Sequence, residues 1–360
     1  MTPGVDAAVV RMMDEAGVSF QEFFALDMAS LASRLGVTQY YQDLDRQQAL
    51  FNARKELEFV ERHGMRAVFM TDDEYPALLR ESPDAPVLIY VLGEADLNAF
   101  PAFNVVGTRR CTAYGQNFTA SFVKDMAAYF PNGMVVSGLA YGIDAAAHIA
   151  ALECGLKTVA VMAHGLDMIY PAAHRDFARR IINAGGAIVS EYPSGIRPFQ
   201  RNFLQRNRIV AGMCEVTVVA ESEVRGGAMS TANQAFSYSR EVFALPGRLS
   251  DVTSSGCNAL ISRQKAHIFT GIADFISVMG WEIPAIGAKV AKASCDSLFP
   301  ELEGDAAKVY EFLRCNGGAP SIDEIHRITA LPMPKLMSIL GELEFDGIIT
   351  KLPGARYELS

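Results

Sequence analysis

FNVVGTRRCTAYG (103–115) and MVVSGLAYGIDAAAH (134–148) follow one plan. A short run rich in β-branched residues ends in a glycine turn, and small and apolar residues then recur at helical spacing. A strand that feeds directly into a helix is the building unit of a parallel sheet. Outward from these two stretches the same kind of run recurs as VLIYVLG (87–93), TVAVM (158–162), AIVSEY (187–192), EVTVVAE (215–221), EVFALPG (241–247) and AHIF (266–269). Helical stretches separate most of them. The pattern predicts an α/β fold over residues 81–282, with a doubly wound, mostly parallel, Rossmann-like sheet covered by helices on both faces. In such sheets a ligand lies beyond the carboxyl ends of the strands. The residues that follow each strand are therefore the candidates for function.

The flanks read differently. Residues 1–80 are expected to be a helical module, with apolar spacing through Val9–Met13, Phe20–Leu26 and Leu31–Leu35 and an amphipathic helix at 47–63. The three prolines in TDDEYPALLRESPDAP (71–86) break that pattern. Residues 283–300 read as a linker of small residues. Residues 301–360 show three helical segments and two short strands around Pro353–Gly354, the order of a winged helix, with the helix after Pro332 in the recognition position.

Composition narrows the class. Half of the 360 residues are hydrophobic and a fifth are charged, which supports a buried core and excludes a mainly disordered chain. No apolar run reaches the roughly 18 residues of a membrane span. Asp14 and Glu15 interrupt what would be the apolar stretch of a signal peptide. The six cysteines form no CxxC pair and the six histidines no HExxH motif. A cytoplasmic protein with reduced thiols, no metal and no cofactor is expected.

The net charge of −9 argues against nucleic acid until its distribution is considered. Residues 1–80 carry 8 Lys and Arg against 13 Asp and Glu, residues 81–300 carry 18 of each, and residues 301–360 carry 6 against 10. Acid sits at both ends. Between Ser194 and Arg208 there are four arginines and no acid.

At the strand ends, Gly107-Thr108-Arg109-Arg110 places a guanidinium where a helix N-terminus offers free N–H groups to an anion. The alternative is that Arg109 pairs with Glu191 or Glu221. Ser137-Gly138 and Gly142 shape a second glycine turn. Ser137 and Asp144 are also plausible caps there, and His148 fits a core histidine. Gly226 and Gly227, after the strand 215–221, form a third turn suited to an anion nest, while the absence of GxxxxGK[ST] leaves no P-loop. The sharpest local signal is RPFQRNFLQRNR (197–208). Arg197, Arg201, Arg206 and Arg208 interleave with Phe199 and Phe203, pairing phosphate-neutralising charge with rings on which bases stack. Its alternative is a solvated loop with two core phenylalanines. The winged-helix segment points elsewhere: its recognition helix has Lys335 but also Glu342, Glu344 and Asp346, which favours protein contact over DNA.

Taken in order, VGTRRCTAYG (106–115), SGLAYGIDAAAH (137–148), GLDMIYPAAH (165–174), VSEYP (189–193), RNRIVAG (206–212), TANQA (231–235), VFALPG (242–247) and GCNALI (256–261) resemble the DNA-processing protein A (DprA/Smf) family. The N-terminal helices look like its SAM-like or helix-hairpin-helix module and the tail like its winged helix. The resemblance implies a single-stranded DNA-binding recombination mediator rather than an enzyme. Such a protein protects incoming DNA and helps load a RecA-type recombinase in natural transformation, commonly as a homodimer. By motif it implies DNA contact through Arg109, Arg110, Arg206, Asn207 and Arg208, with Ser137, Gly138 and Gly142 as pocket floor and Gly226–Gly227 as wall. Lys265 stands where the family often has glycine and offers a further charge. The competing reading is a phosphoribohydrolase of nucleoside monophosphates, because RGGAMST (225–231) partly resembles its phosphate loop. That chemistry needs a carboxylate soon after the loop, where this chain has Asn233 and Gln234.

Overall fold

The computed structural model describes residues 7–36, 45–283, 304–316, 320–345, 348–352 and 354–359. Two compact units, Met1–Val290 and Ala291–Ser360, divide the chain.

The first unit is built on a nine-stranded sheet: β1 (Arg66–Phe69), β2 (Leu88–Gly93), β3 (Ala102–Gly107), β4 (Met134–Ser137), β5 (Lys157–Met162), β6 (Ala187–Ser190), β7 (Val216–Glu221), β8 (Glu241–Ala244) and β9 (His267–Ile268). Their spatial order is β1-β2-β6-β5-β4-β3-β7-β8-β9. The seven strands from β6 to β9 pair in parallel, while β2 pairs antiparallel with β6 and β1 antiparallel with β2. The sheet is thus Rossmann-like and mostly parallel. β1 corrects the reading of residues 1–80 as wholly helical. Its four residues carry too short a pattern to stand out, and pairing with β2 makes it the edge strand of the sheet.

Helices cover both faces. Alternation along β3 shows why: Phe103 and Val105 face one core, Ala102 and Val106 the other. On the first face pack α6 (Ala113–Tyr129), α7 (Ile143–Glu153) and α12 (Ile272–Met279), through Phe122, Met126, Ala147 and Phe275. On the second pack α9 (Gln200–Gly212), α10 (Gly227–Ser237) and α11 (Ser255–Ser262), through Ile209, Val210, Ala232 and Leu260. α8 (Arg175–Asn183) closes the first strands of the parallel run with Ile181 against Ile188.

Ahead of the sheet come α1 (Ala7–Glu15), α2 (Phe20–Ala25), α3 (Met28–Leu35) and α4 (Arg46–Arg62), with α5 (Ala77–Glu81) between β1 and β2. A Ser19–Glu22 capping box starts α2 and the Asp27 side chain caps α3. The first helices enclose a small core around Phe23 and Leu31. They are tied to the sheet domain by Arg11, whose guanidinium donates to the carbonyls of Arg80 and Ser82.

The second unit contains α13 (Gly304–Asn316), α14 (Ile322–Thr329), α15 (Met333–Phe345) and the antiparallel pair β10 (Ile349–Leu352) and β11 (Arg356–Leu359), the winged-helix order. It has its own core of Val309, Leu313, Ile325, Leu336, Leu340 and Tyr357. Lys335, the cation expected on the recognition helix, is paired with Asp305. The linker reading of 283–300 lies almost wholly outside the described residues. Among the described residues no helix is long and apolar enough to cross a membrane, and Cys111, Cys154, Cys214 and Cys257 are free thiols.

Candidate nucleic-acid interface

β3 pairs with β4 on one side and β7 on the other, so the strand order reverses there. This is the switch point of the sheet, where the loops after adjacent strands diverge and leave a crevice. The Thr108–Thr112 loop and the Ser222–Gly226 loop enter it from the two strands.

Two glycines fix the Arg109 turn. Gly142 has φ +78°, and a Cβ there would lie 2.2 Å from the Thr108 carbonyl oxygen. A Cβ on Gly107 would meet Ile143 at 2.5 Å. The start of α7 therefore packs directly against the turn, and Ile143 N–H donates to the Thr108 carbonyl at 3.3 Å. Gly142 acts by close packing. Arg109 and Arg110 are exposed. The Arg109 guanidinium rests over the Phe203 ring, 5.6 Å from its centroid, and has no carboxylate partner among the described residues. Pairing with Glu191 or Glu221 is not observed. Glu221 is buried and accepts from the N–H and Oγ–H of Thr112 at 2.8 and 2.6 Å. Glu191 pairs with Arg208.

Phe203 lies on α9, and Tyr170 stands 5.8 Å from it, ring to ring. Phe199, at 65% exposure, precedes the helix, and Arg197 and Arg201 are exposed beside it. Arg197 also reaches the Met168 sulfur at 3.4 Å. Arg109, Phe203 and Tyr170 thus bring a cationic and two aromatic faces together beside the turn after β3, with the exposed Phe199 one turn before Phe203. Tyr141, 48% exposed, packs against His174 nearby. Neither tyrosine was singled out by sequence. Both lie in motifs that were, YGID and MIYP, and an aromatic in a loop between strand and helix was the available signal.

The same helix separates its arginines by phase. Arg206 is only 5% exposed, donates to the Val161 carbonyl, and lies under Gly138, where a Cβ would fall 2.2 Å from its guanidinium. Arg208 donates to the Asp84 carbonyl and pairs with Glu191. Both side chains are committed inside the domain, which corrects their placement as open phosphate contacts. Burial pushes the Glu191 carboxyl up from its ordinary range, and the Arg208 charge opposes that shift.

Ser137 also turns inward: its hydroxyl donates to the Val105 carbonyl at 3.1 Å, and the side chain is fully buried. It braces β4 against β3. Asp144 accepts from the Ala140 N–H across the glycine turn, and burial raises its carboxyl while Arg206 opposes the rise. His148 is buried against the Thr158 hydroxyl, and burial drives its pKa down to about 3.

The remaining wall is α10. Gly226 has no room for a side chain, since its Cβ would meet Ser222 Oγ at 2.3 Å, while Gly227 opens onto free space. The starts of α7 and α10 carry no side-chain cap, and the Ile143 N–H that opens α7 goes to the Thr108 carbonyl. Asn207 spans to the Gly227 carbonyl at 3.4 Å. Lys265 lies away from this edge, donating to Asn233 Oδ1 at 2.8 Å over the Phe236 ring. Asn233 itself donates to Met229, so the position where a phosphoribohydrolase needs a carboxylate holds an amide engaged on both atoms.

The family model for DNA recombination-mediator protein A matches residues 66–280, and that for the DprA winged helix domain matches residues 297–355. The DNA processing protein DprA of Streptococcus pneumoniae is 41% identical over 200 residues, 56% of this chain and 70% of that protein. The X-ray structure of DprA from S. pneumoniae aligns with a TM-score of 0.62 at 32% identity, over 76% of this chain and 98% of that one. The structure of DNA processing protein A from Helicobacter pylori aligns with a TM-score of 0.53 at 29% identity, over 60% and 95%. With its switch-point sheet, its glycine turns and its winged helix all in family order, the chain belongs to the DprA/Smf family of DNA recombination mediators.

Proposed function

We propose that this chain binds single-stranded DNA along the switch-point crevice. Arg109 takes a backbone phosphate, Phe203, Tyr170 and Phe199 stack successive bases, and the uncapped starts of α7 and α10 add N–H donors. The observation that carries this reading is the Arg109 guanidinium, exposed, free of any carboxylate among the described residues and seated on the Phe203 ring. That pairing suits an unpaired strand, whose bases expose their faces while its phosphates stay charged. The H. pylori relative binds single-stranded DNA, which supports carrying the activity over.

On this reading residues 81–282 hold the strand, and residues 1–80 and 301–360 serve other contacts. The wider role is protection of incoming DNA and its delivery to a RecA-type recombinase in the cytoplasm during natural transformation, by a homodimer. Among the described residues no arrangement favours the phosphoribohydrolase reading, since Asn233 stands where its carboxylate is needed. The test is fluorescence anisotropy of labelled oligothymidylate against the intact protein and Arg109→Ala. Binding that drops at least roughly tenfold in the variant supports the reading, on the scale of one charge-assisted contact. Equal binding by both proteins removes Arg109, and no binding by either removes the function.

A further inference from the structure

The Arg/Phe segment leaves β6 through a tight turn, Pro193–Ile196, whose backbone is held from several directions. Gly195 N–H donates to Asp167 Oδ1 at 3.0 Å, and Gly165 N–H donates to the Ile196 carbonyl at 3.0 Å. A side chain on Gly165 would meet the Pro193 carbonyl oxygen at 2.4 Å, so the two loops touch backbone to backbone. Gly195 itself sits at φ +82°. The remaining anchor comes from the other end of the sequence. Glu56, on α4, accepts from Ser194 N–H at 2.8 Å and from Ser194 Oγ–H at 2.6 Å.

We propose that Glu56 is a positioning residue for DNA binding: through Ser194 it sets where Arg197 and Phe199 stand at the mouth of the crevice. The inference rests on the reading that this edge binds single-stranded DNA. Glu56 is well placed for the task. α4 is seated on the sheet edge by Val60, which packs with Met65 and Tyr90 and with Leu166 of the loop that holds Gly165 and Asp167. The carboxylate therefore projects from a fixed base, and it engages both donors of one residue, which fixes the orientation of the turn as well as its place. Three residues beyond Ser194 comes Arg197, and five beyond comes Phe199 at the start of α9. The acidic N-terminal segment thereby contributes to a basic site without contacting the strand.

The sign of the effect separates this role from simple electrostatics. Glu56 is an acid close to a proposed phosphate track. If only its charge mattered, removing it would tighten DNA binding. A positioning role predicts the reverse. Anisotropy titrations of labelled oligothymidylate with full-length Glu56→Ala should show roughly tenfold weaker binding, the scale of a lost charged hydrogen-bond pair. Glu56→Gln, which keeps an acceptor for Ser194, should recover most of it. Ser194→Ala, which changes no charge, should weaken binding about threefold by losing one of the two donors, and it carries the test if Glu56→Ala does not fold. Hydrogen exchange should quicken at the amides of Ser194 and Gly195 in Glu56→Ala. Unchanged or tighter binding by Glu56→Ala overturns the proposal, whether or not exchange quickens, while loss in Arg109→Ala keeps the DNA reading standing. Absence of binding by the unaltered chain overturns both.

Discussion

Replacing Phe203 with alanine separates the aromatic contribution from the ionic one. Phe203 supports the Arg109 guanidinium at 5.6 Å and lies 5.8 Å from Tyr170. Losing the ring removes one base platform, about 1–3 kcal/mol. It also removes the cation–π support of Arg109, about 0.5–1 kcal/mol at an exposed site. Together these predict affinity lower by roughly ten- to several-hundredfold. The ring is only half-buried, so little apolar burial is lost and the melting temperature should hold within a few degrees. The charge on Arg109 remains, so the salt dependence should keep its slope. Arg109→Ala should instead flatten the slope of log K against log salt by about 0.7, the value for one phosphate on a single strand. The assay is anisotropy of labelled single strands at four or five salt concentrations. Binding by Phe203→Ala within threefold of the unaltered protein would refute the stacking role. A flattened slope in Phe203→Ala would show that the ring works only by holding Arg109.

Arg208→Ala should act on the fold rather than on DNA: urea denaturation should show a loss of about 3 kcal/mol, the low end for a broken buried pair, because Arg208 and Glu191 keep 16% and 13% exposure. Acid should destabilise the first unit through His148, whose folded pKa of about 3 lies below its ordinary 6.5. The unfolded chain then binds the proton first, so stability present above pH 6.5 is lost as pH falls towards 3. The loss should reach about 2 kcal/mol by pH 5, and His148→Gln should flatten that part of the curve. Deleting 301–360 should leave single-strand affinity within about threefold, because that segment carries 6 basic against 10 acidic residues and adds no net attraction for phosphate.

Much of the fold was legible because local pattern and tertiary role agree. All eight apolar runs read from the sequence became strands, and the glycine turns fell where helices begin against neighbouring loops. β1 was missed because RAVF is short and gains its strand character only from β2, twenty residues further on. The site was legible in outline and not in detail. Arg109 stood out because its glycine turn follows a strand and precedes a helix, whereas its place at the switch point comes only from the strand order. Arg206 was misplaced because arginines in one segment were read by composition, although helical phase held the answer: it falls three and four residues before the buried Ile209 and Val210. The capture of Arg208 by Glu191 depends on β6 meeting α9, which no local pattern shows. Tyr170 joins Phe203 only through the packing of the loop after β5 against α9. Glu56 and Ser194 are 138 residues apart, and only the seating of α4 on the sheet edge brings them together.

On the proposed reading the bound DNA strand lies on the aromatic and cationic edge beside β3 and β7. Photocross-linking tests it most directly, using single strands carrying 5-iododeoxyuridine and peptide mapping of the adducts. Cross-links should fall on Phe203, Tyr170 and Phe199 and be lost in competition with unlabelled oligothymidylate. Cross-links confined to residues 301–360, or to the N-terminal helices, would contradict that reading.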